Sequence, residues 1–208
     1  MAFPSDVSAA PSLTESLPLW RPPLSRALHR NRSQPQARYF QLATLGENDQ
    51  PANRTVVFRG FVAPPVAAVT GHSLKFVTDG RSQKIHQMAQ NPWAEACWYF
   101  AKTREQFRLS GLLHHIPSGG NPALRRASWQ ALSPSAQAQF GRPEPGKPQA
   151  PDTSFQATAV DADEPPETFV VVLLTPSQVD HLELRGDPQQ RTQYQQVGTV
   201  WQRRAVNP

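Results

Sequence analysis

The 208-residue chain lacks several features that would have announced its chemistry. It has a single cysteine, Cys97, which excludes an intramolecular disulfide and a cysteine-based metal cluster. The apolar, strand-like stretch around Cys97 suits a small buried hydrophobe. Long apolar runs are missing as well. The longest, residues 169–174, is far shorter than the roughly 20 residues of a membrane helix. Residues 1–20 lack a basic segment followed by an apolar one, so no secretory signal is read and a cytoplasmic location is expected. No glycine-rich phosphate loop or dinucleotide fingerprint occurs, because Gly119-Gly120 runs into Asn121-Pro122 without a strand–turn–helix context. Metal-ligand spacing is absent too. His114 and His115 are adjacent, and neighbouring strand side chains face opposite ways. The sequence thus predicts no metal site.

Concentrated charge is also lacking. The net charge is +5, yet no basic block is longer than a pair such as Arg125-Arg126 or Arg203-Arg204. Aromatic and basic residues do not alternate as on a single-strand-binding surface, so nucleic acid is a disfavoured partner. A few specific anionic groups, such as ligand phosphates, account for the excess equally well.

What the chain does have is proline, 22 in all. The prolines crowd the N-terminal region, residues 134–151 and Pro165-Pro166. Proline breaks helices and removes ladder donors, which makes these segments loops or extended connections. The expected organisation is one domain over residues 1–208. It comprises an N-terminal arm (1–36) with one short helix around Leu24 and Leu28, a Pro-rich loop (141–166) and C-terminal strands (168–208).

Between these segments the pattern is that of strands. Residues 37–45 and 52–62 flank the turn cluster Gly46-Glu47-Asn48-Asp49 and read as a β-hairpin. Residues 74–78 read as a third strand, after which Ser82 can cap a helix stopped by Asn91-Pro92. Residues 93–100 and 104–116 alternate, the latter with Phe107, Leu109, Gly111 and Leu113 on one face. One or two helices fit residues 122–140, and strands fit 169–174, 179–184 and 197–204. About eight strands with few helices predict a mainly β fold, a closed or nearly closed antiparallel barrel.

The groups that carry chemistry come in succession. Arg54 and Arg59 share one strand segment. Ser82, Gln83 and Lys84 stand at a helix start, where free backbone N–H groups favour an anion. Gln106 and Arg108 lie on the polar face of a later strand. Arginine offers a bidentate fork for phosphate and lysine a mobile point charge.

The order Arg54-x-x-x-x-Arg59, Phe76-Val77-Thr78, Ser82-x-Lys84 and Glu105-Gln106-Phe107-Arg108-Leu109-x-Gly111 resembles the pyridoxamine 5′-phosphate oxidase family. The ending Pro176-x-x-Val179-Asp180, Arg191, Trp201 and Pro208 is similar too. The resemblance covers residues 37–116 well and 168–208 moderately, and it points to a divergent branch. It implies an antiparallel split β-barrel of the FMN-binding type with a few short flanking helices. It also implies a homodimer with FMN at the interface, acting as an oxidoreductase on a small-molecule substrate. Arg54 and Lys84 would hold the FMN phosphate, with Ser82 and Gln83 beside them and Thr55 and Val56 along the same strand. Val77 and Thr78 would contact the flavin or its ribityl chain, Gln106 the ring edge, and Arg191 the flavin from late in the chain.

Arg59 stands where the oxidases have a lysine reaching both flavin and substrate phosphate. Trp129, Ser133 and Ser135 are the nearest candidates for the remaining substrate-phosphate contacts. The chain departs from the oxidases in lacking their Arg-x-His near the end, in carrying Leu182 where they have tryptophan, and in Gln83 between Ser82 and Lys84. No catalytic side chain is assigned. The alternatives are a flavin-dependent reductase of another small substrate and a non-catalytic flavin-binding protein. Arg54 and Arg59 are five residues apart and would face opposite ways on a regular strand. Either a bulge realigns them or each serves a different flavin of a dimer.

Overall fold

Alternating apolar residues in the first hairpin set the direction of the sheet. In the computed structural model, which describes residues 17–63, 66, 69, 72–149 and 157–208, strand β1 (Tyr39–Leu45) buries Phe40, Leu42 and Thr44 and turns back into β2 (Pro51–Val57). Residues 1–16 of the expected arm and 150–156 of the Pro-rich loop lie outside the described residues. The remaining strands are β3 (Phe61–Val62), β4 (Ser73–Asp79), β5 (Trp93–Phe100), β6 (Glu105–Ile116), β7 (Phe169–Glu183), β8 (Gln190–Val197) and β9 (Val200–Val206). All neighbours are antiparallel, in the order β2-β1-β5-β6-β7-β4-β3, with β8 and β9 continuing from the far end of β7.

The expected mainly β, split-barrel architecture is thus borne out, with corrections at three places. The expected strand over 52–62 is broken. The chain leaves β1 after Val57, with Phe58 N–H still donating to the Arg38 carbonyl at 2.7 Å. It then joins β4, where Arg59 N–H donates to Lys75 O and Lys75 N–H to Gly60 O, each at 2.8 Å. Gly60 makes the corner with φ of +113°, a conformation that L side chains avoid. This crossover brings the two ends of the sheet together without pairing them along their length.

The second correction concerns residues 169–184, read as the two strands 169–174 and 179–184. They form one fifteen-residue strand, β7. The pairing with β6 slips by one residue at Gly111 and Pro176. Before the slip Val170, Val172 and Leu174 face the barrel interior; after it Val179 does so. A bulge therefore reverses the parity and keeps both halves on one core. Gly111 makes the close approach possible, since a Cβ there would stand 2.0 Å from the Thr175 carbonyl oxygen. Third, the expected strand over 197–204 is the second arm of a β8–β9 hairpin. Its glutamine-rich first arm has no apolar pattern to betray it.

Two cores result. The barrel interior holds Phe40, Phe76, Trp98, Phe100, Phe107 and Leu109. It also holds Trp20, Leu24 and Ala27 of the N-terminal arm, which are fully buried. Helix α1 (Arg21–Arg30) is the short helix expected there. Asn31 pins its end: the side-chain amide donates to Ala27 O and Thr103 Oγ1, and its oxygen accepts from Lys102 N–H. The second core lies on the other face of β4 and β7. Phe169, Val171 and Leu173 pack there under Trp129 of α3 (Pro122–Gln130) and Leu132, with Ala136 of α4 (Pro134–Gln137) and Phe140 beyond. Helix α2 (Gln83–Gln90) follows β4 directly. Residues 142–149 and 157–166 of the Pro-rich loop form neither helix nor strand. No helix among the described residues is long and apolar enough to cross a membrane.

Candidate functional site

The crossover, the end of β4 and the start of α2 converge on a cavity of about 1180 Å³. Arg54, Thr55, Val56 and Arg59 form one wall, Val77, Thr78 and Lys84 another. Leu132, Ala136 and Phe140 give it an apolar side, and residues 142–149 of the Pro-rich loop border it. Arg54 and Arg59 share this cavity because the strand is interrupted between them. The volume is at the upper end of the range of about 300–1000 Å³ usual for a small-molecule site.

One end of the cavity is a cationic centre with neutral surroundings. Arg54 donates from Nη1 to Thr44 Oγ1 at 2.5 Å and to the Leu42 carbonyl at 3.2 Å, and from Nη2 to Gln87 Oε1 at 2.6 Å. Lys84 Nζ donates to Thr78 Oγ1 at 2.8 Å and to Ser82 Oγ at 3.1 Å. Ser82 occupies the N-cap of α2, yet its side chain makes no capping bond and turns to Thr78 and Lys84 instead. None of these partners is charged. The one carboxylate on this stretch of wall, Asp79, is engaged by Arg81 through two hydrogen bonds of 2.7 and 3.0 Å. Burial lowers the pKa of Lys84, and the nearby Arg54 charge lowers it further. Burial also lowers that of Arg54. Two half-buried cations, both lowered by burial and Lys84 also by the Arg54 charge, meet only neutral acceptors and are poised for an anion.

A second cationic centre lies along the same wall. Arg38 and Arg59 both border the cavity, and burial followed by the Arg38 charge lowers the Arg59 pKa. Arg59 Nε is buried without a hydrogen-bond partner among the described residues. No histidine or cysteine lies among the described lining residues.

The other expected residues fall elsewhere. Gln83 opens α2 with an exposed side chain. Gln106 and Arg191 do not border the cavity. They lie on the outer face of the sheet in one cross-strand row, Tyr99–Gln106–Leu182–Arg191. Arg191 is held there by Asp180, which also accepts from Gln193 at 3.1 Å. In the next row Arg108 forms two hydrogen bonds with Glu95. Trp129 is fully buried in the second core and donates to the Asp161 carbonyl at 3.0 Å, while Ser133 caps α4. Neither reaches the cavity. Sequence reasoning missed Thr44 and Gln87, the buried pair that holds Arg54. It also missed Arg38, and it left open whether the Pro-rich loop covers the site, which residues 142–149 border. Only long-range packing brings these together, although a buried-face threonine in β1 is a signal that could have been weighed.

Known proteins decide the family. A curated relative, pyridoxine/pyridoxamine 5′-phosphate oxidase 2 of Arabidopsis thaliana, is 34% identical over 198 residues, spanning 91% of this chain and 96% of the relative. The chain belongs to the pyridoxamine 5′-phosphate oxidase family. The family's profile, described as the FMN-binding domain of pyridoxamine 5′-phosphate oxidase, matches residues 17–117. A pyridoxamine 5′-phosphate oxidase-related, FMN-binding protein from Nostoc punctiforme superposes with a TM-score of 0.84 at 48% identity, over 93% of this chain and all of that one. PhzG of Burkholderia lata, solved with tetrahydrophenazine-1-carboxylic acid, shares the fold with a TM-score of 0.75 at 17% identity, over 97% and 98% of the two chains. The oxidase family thus accounts for the split barrel and for a flavin-binding, oxidoreductase-like character.

Proposed function

We propose that the chain is a homodimeric, cytoplasmic FMN protein that oxidises or reduces a small anionic substrate. The observation that carries the reading is the Arg54–Lys84 centre: two cations and two hydroxyls, all with neutral partners, on the wall of the cavity. Arg54 and Lys84 would bind the phosphate oxygens of FMN, assisted by Thr78, Ser82 and the N-terminus of α2 at Gln83. Thr55, Val56 and Val77 would line the path of the ribityl chain and ring.

Bound FMN would supply two-electron chemistry, for which the described lining residues include no histidine or cysteine. The protein's own part is to position, to neutralise charge and to exclude water. Arg59, with its free buried Nε and Arg38 beside it, would neutralise the substrate's anionic group. Gln106 and Arg191 sit outside the cavity of their own chain, on a face that also exposes Tyr39, Trp93 and Tyr99. A two-fold dimer would bring that face of a second copy to the flavin, so that binding and association are linked.

The test is the visible spectrum of the purified protein, with FMN and then anaerobic pyridoxamine 5′-phosphate added. Flavin bands that travel with a dimer through gel filtration and bleach with this substrate are the result expected of an oxidase of the B6 type. Bands that persist without bleaching would support the second reading, a reductase or oxidase of another small anion. The apolar side formed by Leu132, Ala136 and Phe140, with Trp129 and Ser133 directed elsewhere, favours that reading. A protein that takes up no FMN would overturn both.

A further inference from the structure

At the opposite face of β6 from Gln106, a cluster forms that the cavity does not use. Glu105, His181 and Glu183 offer one ligand atom each, all within 4.8 Å of one another. Glu105 and Glu183 stand directly opposite each other on β6 and β7, and His181 lies one inward-facing position along. His181 and Glu105 are 3% and 8% exposed, with Nε2 and Oε2 2.9 Å apart. Phe107 stacks on the imidazole with centroids 4.0 Å apart and an interplanar angle of 11°, which fixes the ring plane.

The charge balance is unusual. Like charges directly opposite on paired strands are destabilising, and burying an uncompensated carboxylate is costly. Among the described residues no lysine or arginine lies within ion-pair distance of either glutamate. Arg26 of α1 acts on Glu105 only at longer range. A divalent cation held by this cluster would offset both negative charges.

We propose that Glu105, His181 and Glu183 form a site for a zinc-type divalent cation, near the C-terminal end of helix α1. One imidazole and two carboxylates are a donor set suited to first-row divalent ions, and three protein ligands leave a position for water. Bonds of about 2.0–2.2 Å place tetrahedral ligand atoms roughly 3.5 Å apart, so a small side-chain adjustment completes the shell. Orientation comes from outside the cluster. Asn31, anchored to Ala27 O, donates to Thr103 Oγ1, and the Thr103 hydroxyl in turn donates to Glu105. Such outer hydrogen bonds hold ligating carboxylates in place. The ion would clamp the start of β6 to the end of β7, with the N-terminal arm tied in only through Asn31 and Thr103, independently of flavin.

Calorimetric titration of the tag-free, flavin-loaded protein with zinc chloride tests the site. One zinc per chain is expected, with a raised melting temperature. Glu183→Gln, at a partly exposed position, should weaken zinc more than roughly 100-fold, beyond the cost of losing an outer hydrogen bond, without changing flavin content. Thr103→Val should weaken it by about 10–100-fold. Absence of saturable uptake by the wild type overturns the proposal. So does unaltered affinity in Glu183→Gln, or a loss that follows His114→Asn with His115→Asn instead.

Discussion

Replacing Lys84 by methionine separates the two roles a half-buried cation can have. In the ligand-free protein Lys84 is a burden: its pKa is pushed below 10.5 by burial and then by Arg54, and its hydrogen-bond partners are two hydroxyls. Methionine keeps the stem's packing and removes the charge, so ligand-free stability should hold or rise. Toward FMN the effect reverses. A hydrogen bond to a charged group is worth about 1.5–3 kcal/mol, and each 1.4 kcal/mol is about tenfold in affinity. The Kd for FMN should therefore rise roughly 10- to 140-fold.

Riboflavin, which lacks the phosphate, should bind Lys84→Met as it binds the wild type. Flavin fluorescence quenching gives both constants, and thermal melting gives the stability. pH supplies a further check with a fixed sign. A lysine whose folded pKa is depressed binds fewer protons folded than unfolded, so ligand-free stability rises as pH climbs from the folded pKa toward 10.5. Lys84→Met should flatten that rise. Equal losses for FMN and riboflavin, or a ligand-free protein that melts several degrees lower, would refute the assignment of Lys84 to phosphate.

The remaining expectations concern the frame around the site. Gly111→Ala forces a Cβ to 2.0 Å from the Thr175 oxygen and 2.7 Å from the Pro176 Cα; a loss of about 3 kcal/mol or more should appear in urea unfolding, and a neutral result would deny the tight bulge. Trp20→Ala should cost about 3–5 kcal/mol in the same assay, because Trp20 packs against Phe61 and Trp201 at the heart of the barrel. Arg108 first, and Ser110 after it, hold the Glu95 carboxyl below its ordinary 4.5, so its contribution is full above that pH and lost as pH falls through the folded value. Glu95→Gln should flatten the acid limb of stability there. Tyr99→Asp, on the face proposed to meet a second copy, should shift sedimentation toward monomer and release flavin, whereas a flavin-loaded dimer would place the interface elsewhere.

The sequence reveals local pattern better than it reveals closure. The β1–β2 hairpin and the β6 alternation are legible because one face is buried and a period of two follows. The β7 bulge is not, since Pro176 looks like an interruption until Gly111 is seen lying against it. Nor does composition disclose Trp20 as a core residue, because its partners Phe61 and Trp201 are far along the chain. At the site, Arg54, Thr78, Ser82 and Lys84 are recognisable by order and residue type. Thr44, Gln87 and Arg38 are not, as they gain meaning only when β1 and α2 pack beside the crossover. The Glu105–His181–Glu183 group shares this property, with 76 residues separating its hydrogen-bonded pair.

The Phe58–Gly60 crossover also bears on how such a site can change during evolution. One arginine of each cationic centre, Arg54 and Arg59, stands on one continuous segment, and Phe58 alone links the end of β2 to Arg59. Altering the length or curvature of that span would slide Arg59 relative to Arg54, within the limit set by the buried Phe58 ring packed on Phe61 and Trp98. The reach between two bound anionic groups is thus a local variable, and lineages sharing this barrel could acquire ligands of different length by editing one corner.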